Sequence, residues 1–174
     1  MDAVEYDPAN KATRWVAYFD LLGTSVRIKT GGLSPVFSAY KNAVDKLKAL
    51  QEPHPTVASV WFSDTFLLYT KDESAQSFKA IETLAHWFAF SLINNRVPVR
   101  GSLAHGEFYA DARERVYLGS ALLDAYHWGE NQDWLGFVLV LCPVCNLFNV
   151  ALSDEYDFYP RRARNANRPP EAIA

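Results

Sequence analysis

The order in which the apolar residues change period constrains this chain more than any other feature. Trp15-Val16-Ala17-Tyr18-Phe19 is an uninterrupted aromatic and β-branched run, closed by Asp20 and a turn near Gly23, and it predicts a buried strand. A loop containing Gly31-Gly32 follows. Ser34-Pro35 then matches a helix N-cap with proline at the first helical position. Behind it, Val36, Phe37, Tyr40, Val44, Leu47 and Leu50 recur at three- and four-residue spacing. Pro53 and Pro55 end that helix. Two apolar runs, Val57 to Phe62 and Thr65 to Tyr69, are separated only by Ser63-Asp64 and predict a hairpin. A second helix, from about Glu73 to Asn95, carries Phe78, Ile81, Leu84, Ala85, Phe88, Leu92 and Ile93, and Pro98 stops it. Val97 to Phe108 reads as a long strand interrupted by Gly101 and Gly106. Leu118 to Trp128 reads as a third helix and Trp134 to Leu141 as a further strand.

That succession is an α+β, ferredoxin-like βαββαβ core with extra C-terminal elements, an antiparallel sheet with helices on one face. Right-handed crossovers set the first and third core strands side by side at its centre. The end of the first strand therefore lies beside the hairpin between the second and third. Each of those two places carries an aspartate, Asp20 and Asp64.

Composition excludes several classes. The 174 residues predict a single domain over 1–174, with a core about 14–152 and a flexible, arginine-bearing tail over 160–174. Apolar residues at 49% and charged residues at 21% give a soluble globular balance. Seventeen basic against 20 acidic residues, a formal charge of −3, argue against a protein that coats nucleic acid. The longest nearly uncharged stretch, Trp134 to Leu152, is broken by Gly136 and Pro143, so no membrane span is expected. The acidic start Met1-Asp2-Ala3-Val4-Glu5 is unlike a secretion signal, and two cysteines make no disulfide framework. A cytoplasmic location is the expectation. Cys142-Pro143-Val144-Cys145 has no second Cys/His pair at zinc spacing and predicts buried thiols.

The chemistry rests on the aspartates. A carboxylate beside hydrophobic walls resists ionising unless a cation stabilises it. Two carboxylates brought together repel, and bound Mg²⁺ or Mn²⁺ relieves that repulsion. One aspartate at a strand end is commonly a turn former or helix cap. Two at neighbouring turns point to metal.

Phe19-Asp20-Leu21-Leu22-Gly23-Thr24 resembles the Phe-x-Asp-x-x-Gly-Phe/Thr segment of class III nucleotidyl cyclases, and Ser63-Asp64 resembles the Gly-Asp of their hairpin. Arg100-Gly101-Ser102-Leu103-Ala104-His105-Gly106-Glu107 is similar to their fourth core strand. The segment from Tyr117 to Tyr126 falls where their helix opens with Gly-x-x-Val-Asn. The resemblance implies that Asp20, Asp64 and the Leu21 backbone carbonyl hold two Mn²⁺ or Mg²⁺ ions. It implies that the turn of Phe19, Leu21, Leu22, Gly23 and Thr24 binds the nucleotide phosphates. It also implies a homodimer, with each site shared between two copies; the aromatic residues Tyr126, Trp128 and Trp134 suit either an interface or the core. Arg100 is the candidate for a phosphate or transition-state contact, because a guanidinium offers phosphate a fixed fork.

Departures from the family pattern narrow the substrate. Val60 and Val116 occupy the positions where purine cyclases carry base-reading lysine and aspartate, and Leu123 and His127 replace the helix asparagine and arginine. A site without those polar groups loses purine discrimination. The Arg-Gly strand and the Gly-x-Ala-Leu-x-x-Ala-Tyr helix resemble the pyrimidine cyclases of bacterial Pycsar antiphage defence. That implies conversion of UTP to 3′,5′-cyclic UMP, a messenger for a separate effector protein. A cytidylate cyclase, a purine cyclase with other base contacts, a non-catalytic nucleotide-binding module and a two-metal nuclease or polymerase palm remain as alternatives.

Overall fold

The computed structural model describes residues 6–140 and 172–173. The Cys142–Cys145 pair and the arginines of the tail lie outside the described residues. The elements are β1 (Lys11–Leu21), α1 (Thr24–Gly31), α2 (Leu33–Gln51), β2 (Val57–Phe62), β3 (Thr65–Thr70), α3 (Ala75–Asn94), β4 (Val99–Asp111), β5 (Val116–Leu118), α4 (Ser120–Glu130), β6 (Gly136–Val140) and β7 (Ala172–Ile173). The sheet runs β2-β3-β1-β4-β6-β7, with β5 paired to β4. The four strands of the predicted core therefore stand in ferredoxin-like order, with β1 and β3 adjacent and antiparallel.

Beyond smaller shifts (α2 begins at Leu33 behind an N-cap of Gly32 rather than Ser34, and Leu118 lies in β5 rather than a helix), three features differ from the sequence expectation. The stretch after Gly23, expected as loop, is the helix α1. Gly23, at φ 75°, makes the left-handed turn that leads into it. None of its residues is buried, and Val26 and Ile28 are exposed, so it leaves no periodic signature. The added strand β6 pairs with β4 in parallel, which makes that edge of the sheet mixed. Third, helices cover both faces rather than one.

The cause of the third difference lies in β1. Trp15, Ala17, Phe19 and Leu21 enter the main core beneath α2 and α3, where Phe19 meets Phe88 edge-on. The alternate residues Val16 and Tyr18 face the other way and pack with Ala121 and Ala125 of α4. A strand that is apolar at every position from Trp15 to Phe19 needs cover on both sides, and α4 supplies the second. Gly129 lets that helix settle close: a Cβ there would lie 2.7 Å from the Tyr18 ring and 3.5 Å from the Gly101 Cα.

Candidate active site

Antiparallel pairing carries the two aspartates to one end of the sheet. Asp20 lies opposite Thr65, the residue after Asp64, and the Leu21 N–H donates to the Asp64 backbone carbonyl at 2.9 Å. The hairpin turn is Ser63-Asp64. Ser63 adopts φ 56°, a conformation glycine takes more readily, and its carbonyl accepts the Trp61 indole N–H at 2.6 Å. Both carboxylates are half-buried.

On its other side, Asp20 lies directly opposite Arg100 of β4. Arg100 Nε donates to Asp20 Oδ2 at 2.8 Å, and Arg100 Nη2 donates to Glu130 Oε2 at 2.5 Å. Arg100 Nη1 also donates to the Glu130 carbonyl at 2.8 Å, so the guanidinium caps the end of α4. The Tyr18 hydroxyl donates to the second Glu130 oxygen, Oε1, at 2.9 Å. Beside this cluster the buried Gln132 Nε2 donates to the Gly101 carbonyl at 2.6 Å, fixing the chain after α4. Burial raises the Asp20 carboxyl above its ordinary value. The Arg100 hydrogen bond opposes that shift, and the nearby Glu130 and Asp64 charges add to it. Burial and the bond to Glu130 likewise push the Tyr18 phenol up.

The remaining predicted residues separate into two groups. The Leu21 carbonyl accepts the Thr24 hydroxyl at 2.9 Å, and Thr24 Oγ1 in turn contacts the Tyr40 hydroxyl. Gly23 and Thr24 open α1, whose first-turn N–H groups have no intrahelical acceptor. Phe19, in contrast, is fully buried and serves the core. The Leu21 and Leu22 N–H groups are paired with the Asp64 and Pro98 carbonyls, each at 2.9 Å. Any phosphate cradle here therefore falls to Gly23 and Thr24 rather than to the whole turn. Arg100, the candidate phosphate contact, is paired within the chain to the Asp20 and Glu130 carboxylates and the Glu130 carbonyl.

The Asp20 and Asp64 carboxylates and the Leu21 carbonyl all lie at this end of the sheet, and oxygen donors of that kind suit Mg²⁺ or Mn²⁺. Among the described residues no group of three or more His, Cys, Asp or Glu side chains is placed to hold a metal ion. Elsewhere, Val60 and Val116 are half-buried, Tyr117 packs near Tyr69, and Leu123 and His127 are exposed. Trp128 packs beside Tyr18 and Ala104, while Tyr126 and Trp134 are exposed.

Sequence reading missed Glu130, Tyr18 and Gln132. One signal for Glu130 was available, because a carboxylate in the last turn of a helix opposes the macrodipole and needs a nearby cation.

No family model and no curated protein matches the sequence, but solved structures match the fold. The chain superposes on the adenylyl cyclase CyaB from P. aeruginosa with a TM-score of 0.70 at 10% identity, over 94% of this chain and 93% of that one. This is the fold of a nucleotidyl cyclase catalytic domain. The guanylate cyclase domain of RhGC from Catenaria anguillulae, determined in complex with GTP, gives a TM-score of 0.65 at 9% identity over 94% of both chains. A dimeric guanylyl cyclase domain from the fungus Blastocladiella emersonii gives 0.61 at 12% identity, over 75% of this chain and 80% of that one. Within the cyclase fold, no helix among the described residues is long and apolar enough to cross a membrane.

Proposed function

We propose that this single-domain chain is a nucleotidyl cyclase that converts UTP to 3′,5′-cyclic UMP and pyrophosphate as a homodimer in the cytoplasm. The observation that carries the reading is the delivery of Asp20 and Asp64 to one sheet end, tied by the Leu21–Asp64 backbone bond, in a fold shared with nucleotidyl cyclases. In the reaction the ribose 3′-oxygen attacks the α-phosphorus and gives up its proton, while the bond to the β-phosphate oxygen breaks and pyrophosphate leaves. Asp20, Asp64 and the Leu21 carbonyl would hold two Mg²⁺ or Mn²⁺ ions, which supply Lewis acidity and neutralise triphosphate charge when bound. Gly23 and Thr24 present the N-terminus of α1 to phosphate oxygens. Arg100 stands beside Asp20 as the cationic side chain available to the phosphates.

The pyrimidine assignment rests on Val60 and Val116, which offer no hydrogen bond to a purine edge. A second copy is supported by exposed apolar side chains: Phe62 of the hairpin, two residues before Asp64, is 80% exposed and Leu123 of α4 is 68% exposed. The product would act as a messenger for a separate effector in antiviral defence.

Incubation of purified protein with each ribonucleoside triphosphate and Mn²⁺, with products read by mass spectrometry, tests the proposal. Cyclic UMP with equimolar pyrophosphate, lost in Asp64→Asn, is the expected result. Cyclic CMP as main product moves the assignment to cytidine, and cyclic AMP or GMP alone overturns the pyrimidine claim. Triphosphate binding without pyrophosphate release favours a non-catalytic module, a reading to which the Arg100–Asp20 ion pair lends some support.

A further inference from the structure

We propose that Arg100 is an internal counter-ion that Asp20 exchanges for a divalent cation, while Glu130 keeps hold of the guanidinium so that it can turn to the triphosphate. This rests on the metal-site reading of Asp20 above and adds a role to two residues of this chain.

The geometry has three parts. Arg100 Nε meets Asp20 at 2.8 Å, on a half-buried carboxylate that lies among other acids. Metal binding at Asp20 must therefore proceed against a positive charge already in contact with its ligand. Like charges at that separation repel most where solvent screens them least. The guanidinium also has a second set of partners independent of Asp20: the Glu130 carboxylate through Nη2 and the Glu130 carbonyl through Nη1. Losing Asp20 would not leave it unpaired. Finally, Glu130 is itself fixed, because Tyr18 donates to its other oxygen and Gly129 sets the preceding turn against β1. Glu130 is thus a positioning residue. It keeps Arg100 within reach of Asp20 before cations arrive and beside them afterwards.

The arrangement gives removal of Arg100 two effects of opposite sign. Cation binding should tighten, because the competing charge is gone. Binding of a triphosphate chain should weaken, because its guanidinium is gone. A purely structural arginine would instead lower both together. Glu130→Gln shifts the balance the other way: Arg100 keeps one carboxylate, Asp20, and releases it less readily.

Mn²⁺ binding to the full chain without nucleotide, followed by electron paramagnetic resonance of the free ion, tests this directly. Arg100→Gln should bind Mn²⁺ tighter by on the order of tenfold, Arg100→Lys by a smaller factor, and Glu130→Gln more weakly than wild type. Inorganic tripolyphosphate, added to Mn²⁺-saturated protein, should bind Arg100→Gln more weakly by on the order of tenfold. Unchanged or weaker Mn²⁺ binding by Arg100→Gln overturns the proposal, as does a failure of every form to bind Mn²⁺. Should Arg100→Gln not fold by circular dichroism, Arg100→Lys decides: tighter binding than wild type supports the exchange, and equal or weaker binding overturns it. Because no turnover is measured, an absence of cyclic product would count against the cyclase assignment and leave this result standing.

Discussion

The two ends of the β1–β3 ribbon each hold an aspartate, and the fold treats them in opposite ways. At one end Asp72 is exposed and locally satisfied. Its Oδ1 accepts the Ser74 N–H at 3.0 Å, the Ser74 hydroxyl at 2.6 Å and the Ser77 hydroxyl at 2.7 Å, where α3 begins. Those bonds hold its carboxyl below the usual range, the Ser74 and Ser77 hydroxyls first. At the other end Asp20 is half-buried and, despite Arg100, has its carboxyl raised, chiefly by burial. One carboxylate completes a helix start. The other sits where burial outweighs the one guanidinium that faces it.

The largest effect expected from this contrast is on turnover. Asp20→Asn or Asp64→Asn should reduce cyclic product by on the order of a thousandfold or more, whereas Asp72→Asn leaves it near wild type; a product assay with Mn²⁺ measures all three. An equal loss in Asp72→Asn would erase the contrast. Next is Gly129→Ala, which sets a methyl against the Tyr18 ring and should destabilise the protein by about 1–3 kcal/mol in urea titration. Asp72→Ala should cost about 1 kcal/mol of stability through the weakened start of α3, with Mn²⁺ binding unchanged in the same preparation.

The smallest effect is in the pH dependence of folding. The native state holds a proton on Asp20 more tightly than the unfolded chain does. Its stabilising contribution is therefore full below the unfolded value of about 3.9 and is lost as pH rises through the raised native value. For Asp72 the sign is reversed: stability is present above about 3.9 and is lost as pH falls through the lowered native value. Urea midpoints between pH 3 and 7 should thus change in opposite senses when Asp20→Asn and Asp72→Asn are each compared with wild type.

The parts of this molecule legible from sequence are those carried by short-range pattern. The continuous apolar run before Asp20 identified β1, and the two runs around Ser63-Asp64 identified the hairpin. Together they placed both aspartates, because strand order follows from connection handedness. Helix α1 escaped because it buries no side chain, and helix propensity alone is a weak signal. The covering of both sheet faces was implicit in β1, whose residues do not alternate, but only the contacts of α4 reveal which element supplies the cover. Glu130 meets Tyr18 across 112 residues of chain and Arg100 across 30. No local pattern encodes those meetings; they follow from how deeply α4 seats on the sheet.

The cover on both sides of β1 has a dynamic consequence. Amides in the middle of that strand are shielded by two helical layers and by a neighbouring strand on each edge, so they should exchange with deuterium only when the whole domain opens. Asp20 is thus mounted at the tip of the segment that opens last. Fraying at the sheet margins would leave the Asp20 end in place.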